Sequence, residues 1–324
     1  MAARKRAKMP VDVNKLLKLA GAYDEMRGYP VAVNLVIDIT AGDEFIDATI
    51  EAFTPTSYGT DVRTVLLTDD VPFLPLPCDL CVVVGGSSAL LGDVAHEARR
   101  MGTPTCVVIE RGQTWFSEER PQLPAAGGAS PHWGIPVGDI VDISLANERP
   151  FEALGTWICN NAPAKRLSMG DSFPFIRHAL GMEVVKAASN RAAAAGVLIF
   201  IPGADMPAIT FEQSQMVLQI ASVYGQPMDL SRAKEIAAVV AGGFASRSVA
   251  RQLVELVPFM GIAIKGAVAY GGTTAMGYAV LDYFEGGGVI EGATDVITER
   301  VSTVITQLGI EDLVAGFNPD ASAQ

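Results

Sequence analysis

The 324 residues suffice for two domains of ordinary size, each with a sizeable core. Apolar residues make up 49% of the chain and charged ones 19%, and the mean hydropathy of +0.30 is high for a soluble protein, so some apolar surface is expected to meet lipid or a partner. A formal net charge of −12 repels phosphate backbones and argues against non-specific nucleic-acid binding.

The start of the chain runs against that balance. Arg4, Lys5, Arg6, Lys8, Lys15 and Lys18 face only Asp12. A solvated, frayed terminus is one reading, and contact with an anionic membrane surface is the other. No apolar stretch of the secretory type accompanies these charges, which predicts a cytosolic location. Cys78, Cys81, Cys106 and Cys159 are too few for a disulfide framework. Cys78 and Cys81 form C-x-x-C, but Cys81 sits inside an apolar run without a second such pair, so core filling is expected rather than redox or zinc chemistry.

Val31 to Ile39 reads as a buried strand, the break Thr40-Ala41-Gly42 as a turn, and Phe45, Ile46, Ile50 and Phe53 as one face of a helix. A second strand is expected at Val62–Leu67, followed by a proline-punctuated connection at Val71–Pro77 that cannot continue a central strand. Leu80–Val84 is the third strand. Gly85-Gly86-Ser87-Ser88 opens a helix carrying Leu90, Leu91, Val94, Ala95 and Ala98, stopped by Gly102 and Pro104. Thr105–Ile109 is the fourth strand, residues 111–138 an irregular excursion, and Asp139–Ser144 a last strand before a helix from Pro150 to about Cys159. Strands alternating with helices, each too apolar to have one wet face, predict an α/β fold with a mostly parallel wound sheet.

This order of elements resembles the small GTP-binding domain. In that family the first strand enters a phosphate loop of G-x-x-x-x-G-K-[ST] type. Here the equivalent stretch, Asp38-Ile39-Thr40-Ala41-Gly42-Asp43-Glu44, has one glycine, no lysine, and two carboxylates at the helix start, where they satisfy the helix dipole themselves. Where the guanine-reading Asn-Lys-x-Asp should follow the fourth strand, the chain has Glu110-Arg111-Gly112-Gln113. Only Ser144-Leu145-Ala146 partly matches the family's Ser-Ala loop. The resemblance therefore implies a degenerate G-domain that keeps the sheet and lacks the chemistry. For Gly85, Gly86, Ser87 and Ser88, a tight turn capped by Ser87 or Ser88 is expected, with an anion site on free N–H groups as the weaker reading.

From Phe175 strand character is lost. Arg177–Ile201 is an alanine-rich helix ended by Pro202-Gly203, and its uncharged end is shorter than the roughly 20 residues a membrane span needs. Thr210 and Gln213 read as a capping box for a helix carrying Met216, Val217, Ile220, Val223 and Tyr224 and closed by Gly225. Further helices are expected at Ser231–Ala241, over Arg247, Arg251 and Glu255, and at Thr294–Leu308. Leu256–Leu281 holds a single charge, Lys265, and within it Ala263, Ala267, Gly271, Ala275 and Ala279 recur every four residues. Such a stripe flattens one helix face for close packing, either in a membrane or in a soluble bundle.

Ile201-Pro202-Gly203-Ala204-Asp205-Met206-Pro207, Ala221-Ser222-Val223-Tyr224-Gly225, Leu256-Val257-Pro258-Phe259-Met260-Gly261 and Thr273-Thr274-Ala275-Met276-Gly277 occur in this order, and Phe175–Phe284 thereby resembles the YcjF-type domain of unknown function, number 697. That resemblance implies a helical domain often found behind a GTP-binding domain, membrane association in many members, and no catalytic residues to carry over.

The expected organisation is a basic segment and helix over 1–28, a degenerate G-domain-like unit over 29–162, a helical YcjF-type domain over 163–315 and a disordered tail over 316–324. The expected function is non-catalytic, with no cofactor and no metal. The α/β unit serves as an interaction module, and the helical domain meets a membrane or protein partner, or a further copy in a homo-oligomer, at the cytoplasmic face of the membrane. The alternative is a nucleotide-regulated switch that holds a phosphate ligand at Gly85–Ser88 and Ser144–Ala146.

Overall fold

A computed structural model describes residues 13–67, 76–111, 133–198, 206–226 and 262–287. Arg4, Lys5, Arg6 and Lys8, most of the irregular excursion, the helices expected at Ser231–Ala241, Arg247–Glu255 and Thr294–Leu308, and the tail lie outside these residues. The chain divides into two compact units, Glu25–Leu180 and Met1–Asp24 with Gly181–Gln324.

The described elements are α1 (Val13–Arg27), β1 (Val31–Asp38), α2 (Asp43–Ala52), β2 (Thr60–Leu67), β3 (Leu80–Gly85), α3 (Leu91–Arg100), β4 (Thr105–Glu110), β5 (Ile140–Ile143), α4 (Glu152–Asn161), α5 (Arg166–Ser172), α6 (Ile176–Leu198), α7 (Met206–Val223) and α8 (Ile262–Glu285). The two unit boundaries fall inside α1 and α6.

In the unit Glu25–Leu180 the five strands form one all-parallel sheet in the order β2-β1-β3-β4-β5. β3 is buried along its whole length and β4 along nearly all of it, which is why their sequences are continuous apolar runs rather than alternating ones. After β2 the chain returns to the other side of β1. The reversal leaves a crevice between the carboxyl ends of β1 and β3, where wound α/β sheets place their ligands. Asn34, midway along β1, is polar and buried, and its Nδ2 donates to the Leu76 carbonyl at 2.9 Å.

Helices pin the sheet through particular side chains. Phe45 of α2 is fully buried, and Phe53 just beyond α2 packs edge-on against Phe173 and Phe175 with centroids 5.1 and 5.2 Å apart. Each such ring pair is worth about 1 kcal/mol beyond its burial. Leu91, Val94, Ala95 and Ala98 of α3 are buried as their spacing predicts, and Gly102 ends the helix at φ +81°. The short helix α5, whose Leu167, Ser168, Met169, Gly170 and Ser172 are buried, is not foreseen from the sequence.

In the other unit, α1, α6, α7 and α8 contribute the described residues. Leu16 of α1 is fully buried with Phe211 packed on it, Lys15 Nζ stands 4.3 Å over the Phe211 ring, and Gln215 Nε2 donates to Tyr23 Oη at 3.1 Å. The N-terminal helix thus packs with the C-terminal ones. α7 begins at Met206 rather than at Thr210. Pro207 needs no intrahelical partner in a first turn, so the helix starts ahead of the expected capping box, and the Thr210 carbonyl instead accepts Ser214 Oγ at 2.8 Å inside the helix. Its other end is as expected: Gly225 adopts φ +72° and the Gln226 N–H reaches back to the Ala221 carbonyl.

α6 and α8 run antiparallel and interlock through glycines. A Cβ on Gly181 would collide with Leu281, one on Gly277 would lie 2.5 Å from Val185, and one on Gly266 would lie 2.7 Å from Val197. Between these contacts Thr274 Oγ1 donates to Ser189 Oγ at 2.9 Å. No described helix is long and apolar enough to cross a membrane.

Candidate functional site

The crevice at the β1/β3 reversal is where the fold would present a ligand, and its loops are built around Asp38. This residue ends β1 and is only 1% exposed. Its Oδ1 accepts the Thr40 N–H at 2.9 Å and the Thr40 hydroxyl at 2.8 Å. Its Oδ2 accepts the N–H groups of Gly86 and Ser88, both at 3.0 Å, from the loop after β3. Thr40 Oγ1 in turn accepts the Ser87 N–H at 2.8 Å and lies 3.2 Å from Ser87 Oγ. Two loops far apart in sequence are thereby joined across one buried carboxylate.

The close approach requires glycine at 86. A Cβ there would lie 2.5 Å from the Ala41 nitrogen and 2.7 Å from the Thr40 carbonyl carbon, both backbone atoms that cannot swing aside. Ser88 Oγ accepts the Leu90 N–H at 3.2 Å, a local turn just ahead of α3 rather than a cap on its first residues.

Asp43 and Glu44 stand in the first turn of α2, where their charge complements the dipole, and both are exposed. The carboxylate that takes the loop amides is Asp38, which the sequence places in the first strand and at the head of the stretch equivalent to the phosphate loop without marking it as an acceptor. The signal available was an aspartate closing an apolar strand with threonine two residues on, a pairing whose side chains bond to nearby backbone. Glu110 ends β4 with Oε2 3.1 Å from the position a Cβ on Gly42 would take, and Arg111 pairs with Asp142 at 3.1 Å. Ser144 follows β5, its carbonyl accepting the Asn147 N–H at 3.1 Å. β4 lies between β3 and β5, so Gly85–Ser88 and Ser144–Ala146 are separated by two strand spacings, roughly 10 Å.

Other titratable groups are tied into the fold. His96 is on the exposed face of α3, with Nε2 3.1 Å from the Trp133 carbonyl. Its neighbour Glu97 is hydrogen-bonded by Arg100, which holds its carboxyl below the usual range. Burial pushes Cys81 up to about 12 and raises Cys78 and Cys106 as well, and all four cysteines are free. Among the described residues, no group of three or more His, Cys, Asp and Glu side chains is placed to hold a metal.

The small-residue stripe on α8 is divided by its surroundings. Ala275 and Ala279 are fully buried, Gly271 is half-buried and Ala267 is exposed, while the side chain of Ala263 lies outside the described residues. The closest helix approach is at Gly266 and Gly277, on another face of the same helix, and at Gly181 of α6.

Residues 175–309 match the family described as Domain of unknown function (DUF697), in agreement with the resemblance drawn from the C-terminal motifs. The parallel sheet that precedes the match is compatible with a G-domain-like fold. No curated protein matches this sequence.

Proposed function

We propose that this is a non-catalytic protein whose α/β unit keeps the nucleotide-binding architecture as an interaction module, coupled to a helical unit that associates peripherally with the cytoplasmic face of a membrane or with a protein partner. The observation that carries the first part is the bonding of Asp38. The amides of Gly86 and Ser88, which in a wound α/β sheet would face a phosphate, already have a carboxylate as their acceptor. The missing phosphate-loop lysine and Asn-Lys-x-Asp support the same reading.

Peripheral association is supported by the high mean hydropathy together with the basic start of the chain, since each lysine or arginine near an anionic surface contributes about 1 kcal/mol. A homo-oligomer formed through the helical unit belongs to the same reading. Nucleic acid is not a partner on grounds of net charge.

Calorimetry of the full chain with GTP and with ATP at millimolar concentration is expected to give no saturable heat, and saturable binding would put the nucleotide-switch reading in its place. Fractionation of native membranes is expected to release the protein with carbonate. Recovery only after detergent would make it an inserted protein, and recovery without any wash a soluble one.

A further inference from the structure

Asp38 is a charged group buried where charge is costly, and its surroundings explain how it stays there. Its two oxygens receive three backbone N–H groups and one hydroxyl, all within 3.0 Å. That is about the full acceptor capacity of a carboxylate. Charge-assisted bonds of this kind are roughly twice as strong as neutral ones. The arrangement of donors, two amides from one loop and an amide plus a hydroxyl from another, is the kind that successive N–H groups present to an oxyanion in a phosphate loop. The glycine at 86 serves the carboxylate as it would serve a phosphate, by letting backbone approach without a Cβ.

We infer that Asp38 is an autoinhibitory contact: its carboxylate occupies an oxyanion cradle from within the chain, holds the loops after β1 and β3 closed, and excludes inorganic phosphate or sulfate from the crevice. The inference rests on the non-nucleotide reading above and names the residue that enforces it. Removing the carboxylate leaves the donors in place, and a small oxyanion then substitutes for it.

The test uses the full chain as wild type, Asp38→Ala and Asp38→Asn, in sodium chloride and in sodium phosphate or sodium sulfate at matched ionic strength. Amide hydrogen exchange at Gly86, Ser88 and Thr40 is expected to be about tenfold faster in Asp38→Ala in chloride, as suits the loss of bonds to a charged acceptor. It is expected to slow again, saturably, as phosphate or sulfate is added, with a rise in thermal midpoint that exceeds the general, unsaturating stabilisation these excluded salts give wild type. Should Asp38→Ala fail to fold, Asp38→Asn, which keeps the size and one carbonyl acceptor, carries the exchange comparison, with faster exchange expected at Gly86 and Ser88. Unchanged protection in the variant, or the same anion response in variant and wild type, overturns the inference. Nucleotide binding by wild type would instead overturn the reading it rests on, so the two failures are distinguishable.

Discussion

Val185 seats both of its methyl groups against the bare backbone of Gly277. A Cβ at 277 would lie 2.5 Å from Cγ1 and Cγ2 and 3.0 Å from Cβ of that valine. A β-branched side chain in a helix has essentially one rotamer, so Val185 cannot turn away and the helices would have to part. Gly272, five residues earlier in α8, has open space where its Cβ would be.

These two glycines give a paired prediction. Replacing either with alanine adds about 0.8–1 kcal/mol of helix propensity. At 277 the added methyl also overpacks the α6 contact, which costs about 1–3 kcal/mol. Gly272→Ala is therefore expected to raise the denaturation midpoint and Gly277→Ala to lower it. Equal shifts in the same direction would show that α6 and α8 are not in the close contact described. Gly287 is a poor control because it adopts φ +77° and strains any side chain placed there.

The loop crossing at the carboxyl end of the sheet gives a second pair. Gly86→Ala is expected to destabilise by about 2 kcal/mol, because the colliding atoms belong to the backbone at Thr40 and Ala41. Gly138→Ala meets nothing within 4 Å and is expected to stay within about 0.5 kcal/mol of wild type. Urea titrations of the two variants decide it, and a Gly86→Ala protein as stable as wild type would mean the loops do not approach as described.

Much of the architecture was legible because it depends on local patterns. All five strands were read from β-branched apolar runs, and the stops at Gly102 and Gly225 from glycines that take positive φ at helix ends. What was not legible depends on which distant residues meet. Asp38 reads as an ordinary strand end until β3 is placed beside β1 and brings Gly86 and Ser88 to it. The glycine contacts of α8 were hidden similarly. A four-residue repeat is conspicuous in sequence, whereas Gly266 and Gly277 acquire meaning only through Val197 and Val185 on a helix some eighty residues away. Thr210 shows a local signal overruled, since the helix had already begun at Met206.

The cysteines predict an alkaline limit. Cys81 has its thiol moved from 9.0 to about 12, and Cys106 is raised by the same cause, desolvation. A raised folded-state value favours the protonated form, so this contribution is fully present below about pH 9 and is lost as pH rises toward 12. Denaturation midpoints are expected to fall across that window, and less steeply in Cys81→Ala than in wild type once each is normalised to its own value at pH 8. Thiol labelling at pH 8 should modify Cys78, half-buried, slowly, and Cys81, Cys106 and Cys159 only after denaturation. Rapid modification of Cys81 in the native protein would contradict its burial.

Inside the helical unit, Gln213 and Thr273 form a buried polar pair with one side left over. Gln213 Nε2 donates to Thr273 Oγ1 at 3.1 Å, both residues are essentially inaccessible, and Gln213 Oε1 has no hydrogen-bond partner among the described residues. Removing one member of such a pair strands the other, at about 1–3 kcal/mol, whereas replacing both by apolar groups of similar shape is close to neutral or stabilising. Thr273→Val alone is expected to destabilise, because Gln213 then has both ends of its amide unsatisfied. Gln213→Leu is expected to be milder, because it removes an atom that is already unpartnered. The double variant should be at least as stable as wild type, and the cycle should therefore show a coupling of about 0.5–3 kcal/mol between α7 and α8. Additive single effects, with the double variant the least stable of the set, would mean that the two side chains do not bond and that α8 packs on α7 through some other register.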